Sequence, residues 1–338
     1  MITTCGKDTV IKIITPSRLH ITLIDLNASL GRVDGGVGIT LDEPSMILKA
    51  KKSDLNEIKV TGSESPDQIE DRIKKSVRAV MGQNEFGVNI DIEKAFPMHV
   101  GLGSGTQISL ASGMAVNELY DLSLSVRKVA ELVGRGGTSG IGVTSFEAGG
   151  FIVDGGHFFS EKGAFAPSSV SLVPPPPVIF RRDFPDWDIV LAIPNLTGTH
   201  DEKEVDIFNK VCPIPIGEVQ AVSHIILMKM LPSLIEKDIA NFGESVSEIQ
   251  KVGFKKREVE LQHPIIDVIM EEMVKNGAYG AGMSSFGPVV YCVADNPKRI
   301  KKGIQKILDD SLGGKTFITK ARNEGAKIFE YKKNSDPV

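Results

Sequence analysis

An α+β chain of two domains is predicted by three features of the 338-residue sequence. Strand-like and helix-like segments alternate without a strict β-α-β fingerprint. The run VPPPPV at 173–178 suits neither a helix nor a central strand, and it separates a glycine-rich half from a half with several long helices. The length suits one large or two medium domains, so the predicted division is 1–175 and 176–338.

The elements follow in order. VIKII (10–14), LHITLI (19–24), MILKAKK (46–52) and EIKV (57–60) read as strands of one sheet, bounded by Pro, Gly and Asp. Residues 66–82 space Ile69, Ile73, Val77 and Val80 by threes and fours, which predicts a helix. GVNIDIE (87–93) alternates as a strand, and a glycine loop follows it. Ile108, Ala111, Ala115 and Leu119 then mark a helix face, and a second helix at 125–133 ends at Gly134. Beyond the proline run come the strand WDIVLAIP (187–194) and helices around 201–210, 217–231, 233–251 and 264–276. VVYCVA (289–294), a helix at 297–310, FITKA (317–321) and KIFEY (327–331) close the chain.

Composition narrows the function. The chain is 41% hydrophobic and 24% charged, as a globular protein is, and its net charge of −4 is spread throughout. That excludes the basic footprint of a nucleic-acid binder and favours small-molecule partners. Cys5, Cys212 and Cys292 are far apart and form no C-x-x-C, so buried thiols are expected rather than disulfides or zinc. Lys7 and Asp8 precede the short apolar run 10–14, so no signal peptide is expected, and no apolar stretch of roughly 18 residues suggests a membrane span. A cytoplasmic location follows.

The stretch PMHVGLGSGTQISLASG (97–113) carries the chemistry. Glycines let the backbone approach a phosphate, and the amides at a helix start attract anions. Gly101, Gly103, Ser104, Gly105 and Thr106 supply such a cradle, although the same spacing also suits a turn that merely starts a helix. The loop is neither a P-loop nor G-x-G-x-x-G.

P-x-x-x-G-L-G-S-G-T before a helix resembles the central motif of the GHMP superfamily of small-molecule kinases. PSRLH (16–20) resembles its N-terminal motif, and GAYGAGMSSFGPVVYCV (277–293) its C-terminal glycine motif. The resemblance implies a GHMP-type fold: a mixed α/β N-terminal domain and a ferredoxin-like C-terminal domain. In the kinases, a Glu on a helix after the loop helps hold the metal and an S-G-x-D segment supplies the base. Here Glu131 stands on the second helix, and Ser139-Gly140-Ile141-Gly142 puts glycine in place of the base. The loop serine that would contact metal is Gly105, with Thr106 as its substitute. PSRLHITLIDLN, GRVDGGVGI, PMHVGLGSGTQ and GRGGTSGIGVTSFEAGGFIVDGGH together resemble a non-kinase branch, the β-ribofuranosylaminobenzene 5′-phosphate synthases of archaeal methanopterin biosynthesis.

That resemblance implies a decarboxylating transfer of phosphoribosyl pyrophosphate onto 4-aminobenzoate or 4-hydroxybenzoate, with Mg²⁺ and a homodimer. A carbon nucleophile has no hydroxyl proton to lose, so a missing aspartate base is no obstacle. An ATP-dependent GHMP kinase and a non-catalytic phospholigand-binding regulator remain the alternatives. Many phosphoribosyltransferases carry two adjacent acids after a strand. Here Pro194 and Asn195 occupy those positions, so the donor is assigned to the GHMP-type loop.

Arg18 and His20 flank Leu19, so they share a strand face and are expected to act together on a phosphate or carboxylate, unless that face is merely exposed. GRVDGGVG (31–38) is expected to be a mobile cover, with Arg32 clamping a phosphate and Asp34 binding ribose hydroxyls or metal, or else a plain flexible loop. Arg135 suits a phosphate or carboxylate, or the negative end of its helix. Asp25 reads equally as a solvated strand-end acid. Ser139 is expected at the substrate and Ser284, with Ser285, beneath the phosphate. Glu131, Thr106 and Asp154 are the candidate metal ligands, and Glu147 and Asp154 read equally as turn acids. His99 and His157 have no metal-spaced partner and read as structural.

Overall fold

The computed structural model describes residues 8–62, 67–168, 170–171, 173–196 and 202–332; Cys5 and Lys7 lie outside them. The first two predicted strands are one, β1 (Thr9–Asp25), which carries Pro16 at a register shift between Thr15 and Ser17. β2 (Arg32–Lys52) pairs antiparallel with it. GRVDGGVG is therefore no mobile cover: Arg32 to Gly38 form the first third of β2, and Val33 to Gly38 are buried. Its glycines serve close packing, since a Cβ on Gly38 would sit 2.3 Å from Ile141 Cγ2.

β3 (Ile58–Thr61), α1 (Asp67–Met81), β4 (Val88–Lys94), α2 (Ser104–Leu119) and α3 (Val126–Leu132) follow as predicted. The apolar residues expected inward on α1 and α2 are buried. α4 (Ile141–Glu147), β5 (Phe151–Asp154), β6 (His157–Phe158) and α5 (Phe159–Lys162) complete the glycine-rich region.

The proline run is bound to this half rather than linking it to the next. Arg127 donates to the carbonyls of Pro175 at 2.9 Å and Pro176 at 2.5 Å, and the Gly155 amide donates to Pro177 at 2.8 Å. β7 (Val178–Arg182) then pairs with β5 in the first sheet.

The second sheet uses β8 (Asp188–Pro194) and, after a helical region, three more strands. The helices are α6 (Glu202–Val211), α7 (Ile216–Ile225), a π turn at 226–230, α8 (Leu231–Glu236), α9 (Ile239–Ile249), α10 (Gly253–Glu260) and α11 (Ile265–Lys275). β9 (Gly280–Met283), β10 (Val290–Ala294), α12 (Pro297–Asp309), β11 (Gly314–Lys320) and β12 (Lys327–Lys332) complete the chain. The strand order β11-β8-β10-β9, antiparallel throughout, is the ferredoxin-like arrangement expected. β8 is apolar almost throughout because both faces are covered. Ile189, Leu191 and Ile193 enter one core and Val190 and Ala192 another, against α11 and α12.

β12 crosses back to pair with β1, so the first sheet runs β12-β1-β2-β4-β3 with β5, β6 and β7 attached. Chain beyond residue 176 thus completes the N-terminal sheet at both β7 and β12. The helical run Ile216–Glu236 is apolar and long enough by composition for a membrane span, with mean hydropathy 1.2. It places Val222, Ile226, Met230 and Leu234 in the same core as Phe242 of α9.

Candidate functional site

Three segments distant in sequence meet at one point. The Arg18 amide donates to the Leu102 carbonyl at 3.1 Å, and the Arg18 guanidinium donates to the Gly101 carbonyl at 2.5 Å. The Ser285 amide donates to the His20 carbonyl at 2.9 Å. Gly101 can lie this close only without a side chain, because a Cβ there would sit 2.4 Å from the Ser284 carbonyl oxygen. Gly103, at φ 79°, turns the chain into α2, which has no side-chain cap. The first amides of a helix lack intrahelical partners, so this uncapped start leaves backbone donors facing the loop, the chemistry an anion would use.

The loop forms one wall of a cleft of about 220 Å³. Arg18, Arg72 and Arg135 line it, with the hydroxyls of Ser104, Thr106, Thr138 and Ser139. Leu23, Phe208 and Phe286 add an apolar side, and Glu204 and Glu258 are its two acids. Gly142 faces the loop, since a Cβ there would lie 3.1 Å from Thr106 Cγ2.

Burial sets the charges. The Arg18 guanidinium is pulled down to about 10 by burial, against the attraction of Glu204 and Glu258. It remains a cation at neutral pH. Burial, with Arg18 and Lys255 nearby, holds His20 far below the usual imidazole range, so its ring is neutral. Both His20 ring nitrogens are buried without a hydrogen-bond partner among the described residues. Lys255 and Glu258, one helical turn apart on α10, form a buried ion pair at 2.5 Å, and Lys255 also donates to the Ser285 carbonyl at 3.1 Å.

The cleft brings together Arg18, His20, Gly101, Gly103, Ser104, Gly105, Thr106, Arg135 and Ser139 of the predicted set, with His99. Others lie elsewhere. Glu131 is exposed and paired with Lys128 at 2.8 Å, because its helix turns that face to solvent. Asp154 is fully buried, and its oxygens accept from the amides of Gly140 at 2.9 Å and Gly156 at 3.0 Å. Burial pushes its carboxyl up to about 6. Asp34 is buried between Lys162 at 2.7 Å and His157 at 2.8 Å. Arg32 donates to the carbonyls of Gly155 at 2.8 Å and Gly156 at 2.6 Å and stacks on Phe158. Ser284 is buried beneath the loop, which it supports without lining the cleft. Asp25 caps a turn, accepting from the Asn27 amide at 2.7 Å.

These positions do not make a metal cage. Of the three candidate ligands only Thr106 reaches the cleft, and among the described residues no group of three or more His, Cys, Asp or Glu side chains is placed to hold an ion.

The chain matches the GHMP kinases N terminal domain over residues 71–150 and the GHMP kinases C terminal domain over 230–310. It is 47% identical to the β-ribofuranosylphenol 5′-phosphate synthase of Methanothermobacter thermautotrophicus, covering 94% of this chain and 98% of that protein. The synthase of the same name from Archaeoglobus fulgidus is also 47% identical, over 93% and 98%. This chain belongs to the β-ribofuranosylphenol 5′-phosphate synthase family.

The family's fold is that of the GHMP kinases. Homoserine kinase from Cytophaga hutchinsonii superposes with a TM-score of 0.65 at 16% identity, covering 97% of this chain and 100% of that one. Within this synthase-family chain, Arg72, Glu204, Phe208, Glu258 and Phe286 line the cleft without having been singled out in the sequence. Arg72 lies in a charged helix pattern, and GFKKREVE (253–260) reads as a solvated segment although Lys255 and Glu258 are buried.

Proposed function

We propose that this chain joins phosphoribosyl pyrophosphate to 4-hydroxybenzoate. The ring carbon bearing the carboxylate bonds to the anomeric carbon, and the bond from that carbon to pyrophosphate breaks. Carbon dioxide then leaves, and its bonding electrons restore the aromatic ring. The relatives are named for a phenol product, which favours the hydroxy acceptor over 4-aminobenzoate.

One observation carries this reading: a single cleft combines an uncapped glycine-loop helix and three guanidiniums with an apolar wall of Leu23, Phe208 and Phe286, and has glycine at position 142. Arg18 and Arg135 suit a leaving pyrophosphate and the wall suits an aromatic ring. Arg18 and Arg135 would stabilise the charge that develops as pyrophosphate departs. Neutral His20 offers one donor and one acceptor without adding charge. A kinase would need a base or an equivalent group to orient its hydroxyl, and Gly142 supplies none.

Mg²⁺ in this proposal is the counter-ion carried by the donor's pyrophosphate. Magnesium is commonly held by substrate phosphates rather than by a protein cage. A cytoplasmic homodimer is part of the same proposal.

The test is release of carbon dioxide and pyrophosphate from carboxyl-labelled 4-hydroxybenzoate and 4-aminobenzoate with phosphoribosyl pyrophosphate and Mg²⁺, beside ATP with small alcohols. Equimolar release from 4-hydroxybenzoate is the expected result. ADP formed from an alcohol, with no release from either benzoate, would overturn the proposal in favour of a kinase.

A further inference from the structure

We infer that the cleft continues into a second anion subsite, built by α1, that takes the 5′-phosphate of a pentose phosphate. This assignment rests on the phosphoribosyl-transfer reading above. A cavity of about 610 Å³ adjoins the smaller cleft, and the two share Arg72, His99, Arg135 and Ser168. Lys75, one turn along α1 from Arg72, lines only the larger space.

Arg72 stands on the dividing line. A Cβ on Gly105 would lie 3.3 Å from its Nη1, so the guanidinium rests against the first turn of α2. Arg135 lines both spaces as well, with its Nε buried and without a hydrogen-bond partner among the described residues. Among the described residues the one carboxylate lining the larger cavity is Asp71, which is exposed. Arg72, Lys75 and Arg135 thus line the larger cavity beside that acid, a lining that suits an anion.

The chemistry of the donor decides which anion goes where. Phosphoribosyl pyrophosphate carries its pyrophosphate on the anomeric carbon and its phosphate on C5, with the furanose ring between them. One glycine loop can cradle only one of these groups. The anomeric carbon must face the aromatic acceptor, and Leu23, Phe208 and Phe286 line the smaller cleft alone. The pyrophosphate therefore falls to the loop with Arg18. The 5′-phosphate, which takes no part in bond making, falls to Arg72 and Lys75, where binding energy can be gained away from the reacting centre.

Calorimetric titration of the full chain with ribose 5-phosphate and, separately, with pyrophosphate, each in Mg²⁺, tests the split. Arg72→Ala and Lys75→Ala should each weaken ribose 5-phosphate by about tenfold, equivalent to ~1.4 kcal/mol, and leave pyrophosphate within about twofold. Lys75 is exposed, so its variant should fold even where Arg72→Ala does not. Unchanged ribose 5-phosphate binding in Lys75→Ala, or an equal loss for both ligands, would overturn the assignment. So would failure of the unaltered chain to bind ribose 5-phosphate at millimolar concentration. Binding split in this way without benzoate turnover would leave the subsite standing and remove the proposed reaction. Turnover without the split would do the reverse.

Discussion

The Ser284 hydroxyl donates to the Gly101 carbonyl at 2.7 Å while it accepts the His20 amide at 2.9 Å. One buried oxygen thus ties the C-terminal glycine motif to the loop and to the strand that carries Arg18. Ser284→Ala would leave the His20 amide without this acceptor in a dry site, at a cost of about 1–3 kcal/mol. Urea unfolding should register that loss, and the KM for phosphoribosyl pyrophosphate should rise as the loop loses its support. Full stability with an unaltered KM would show that the bond holds nothing in place.

Gly142 faces Thr106, and a Cβ there would lie 3.1 Å from Thr106 Cγ2. Gly142→Asp would set a carboxylate beside the bound pyrophosphate. Like charges a few ångströms apart at a protein surface repel by about 4 kcal/mol at an effective dielectric of 20. The KM for the donor should therefore rise by about tenfold or more, and steady-state kinetics should show no ADP formed from ATP and alcohols. A donor KM equal to that of the parent would place the pyrophosphate elsewhere.

Strand and helix periodicity located most elements, because alternation and three-to-four spacing follow from which faces are buried. That the glycine loop opens a helix was legible for a related reason: glycines before a helical apolar pattern mark where the helix begins. What stayed hidden was long-range. GRVDGGVG looks like a loop because glycines 36 and 38 are small, yet they are small so that residues 139–141 can pack on a strand. VPPPPV looks like a linker, but its carbonyls accept from Arg127 and Gly155. Asp34 and Asp154 look like ligands in glycine-rich sequence, and only burial reveals that they bind the protein's own donors. Lys255 and Glu258 have the spacing of a surface pair, and nothing local says that the sheets enclose them.

Glu131 lies on the surface with Lys128, so it should play no part in metal use. Glu131→Gln should give the same Mg²⁺ activation curve as the parent, with its midpoint within about twofold, since exposed ion pairs contribute little. The activation should instead follow the concentration of the Mg²⁺–donor complex. A midpoint displaced tenfold in Glu131→Gln would return this residue to the metal.

Asp154 makes folding stability depend on pH. Its carboxyl is pushed up to about 6 by burial, above the ordinary value near 3.8, although the amides of Gly156 and Gly140 oppose the rise. In the intervening range the folded chain holds a proton that the unfolded chain has released. Stability from this group is therefore complete below pH ~3.8 and is lost as pH rises through ~6, by an amount on the order of 3 kcal/mol. Asp154→Asn cannot titrate and should flatten that part of the curve when unfolding free energy is measured from pH 4 to 7. Parallel curves for the two proteins would mean that Asp154 does not titrate in this window.

Phe286 stands edge-on to Phe254 at 5.8 Å, and Phe254 in turn packs 4.8 Å from Phe208. This row backs the apolar side of the cleft, where the proposed reaction would seat the benzoate ring. Phe286→Ala would open a cavity and cost about 3 kcal/mol or more of stability, which would blur any kinetic effect. Phe286→Leu keeps the site apolar and should keep the fold to within about 1.5 kcal/mol. It removes the flat face, however, so the KM for 4-hydroxybenzoate should rise by about three- to tenfold, equivalent to ~0.7–1.4 kcal/mol, while the KM for the donor stays within about twofold. Substrate-by-substrate kinetics separates the two constants. A rise confined to the donor would move the aromatic acceptor away from this wall and give the wall to the ribose.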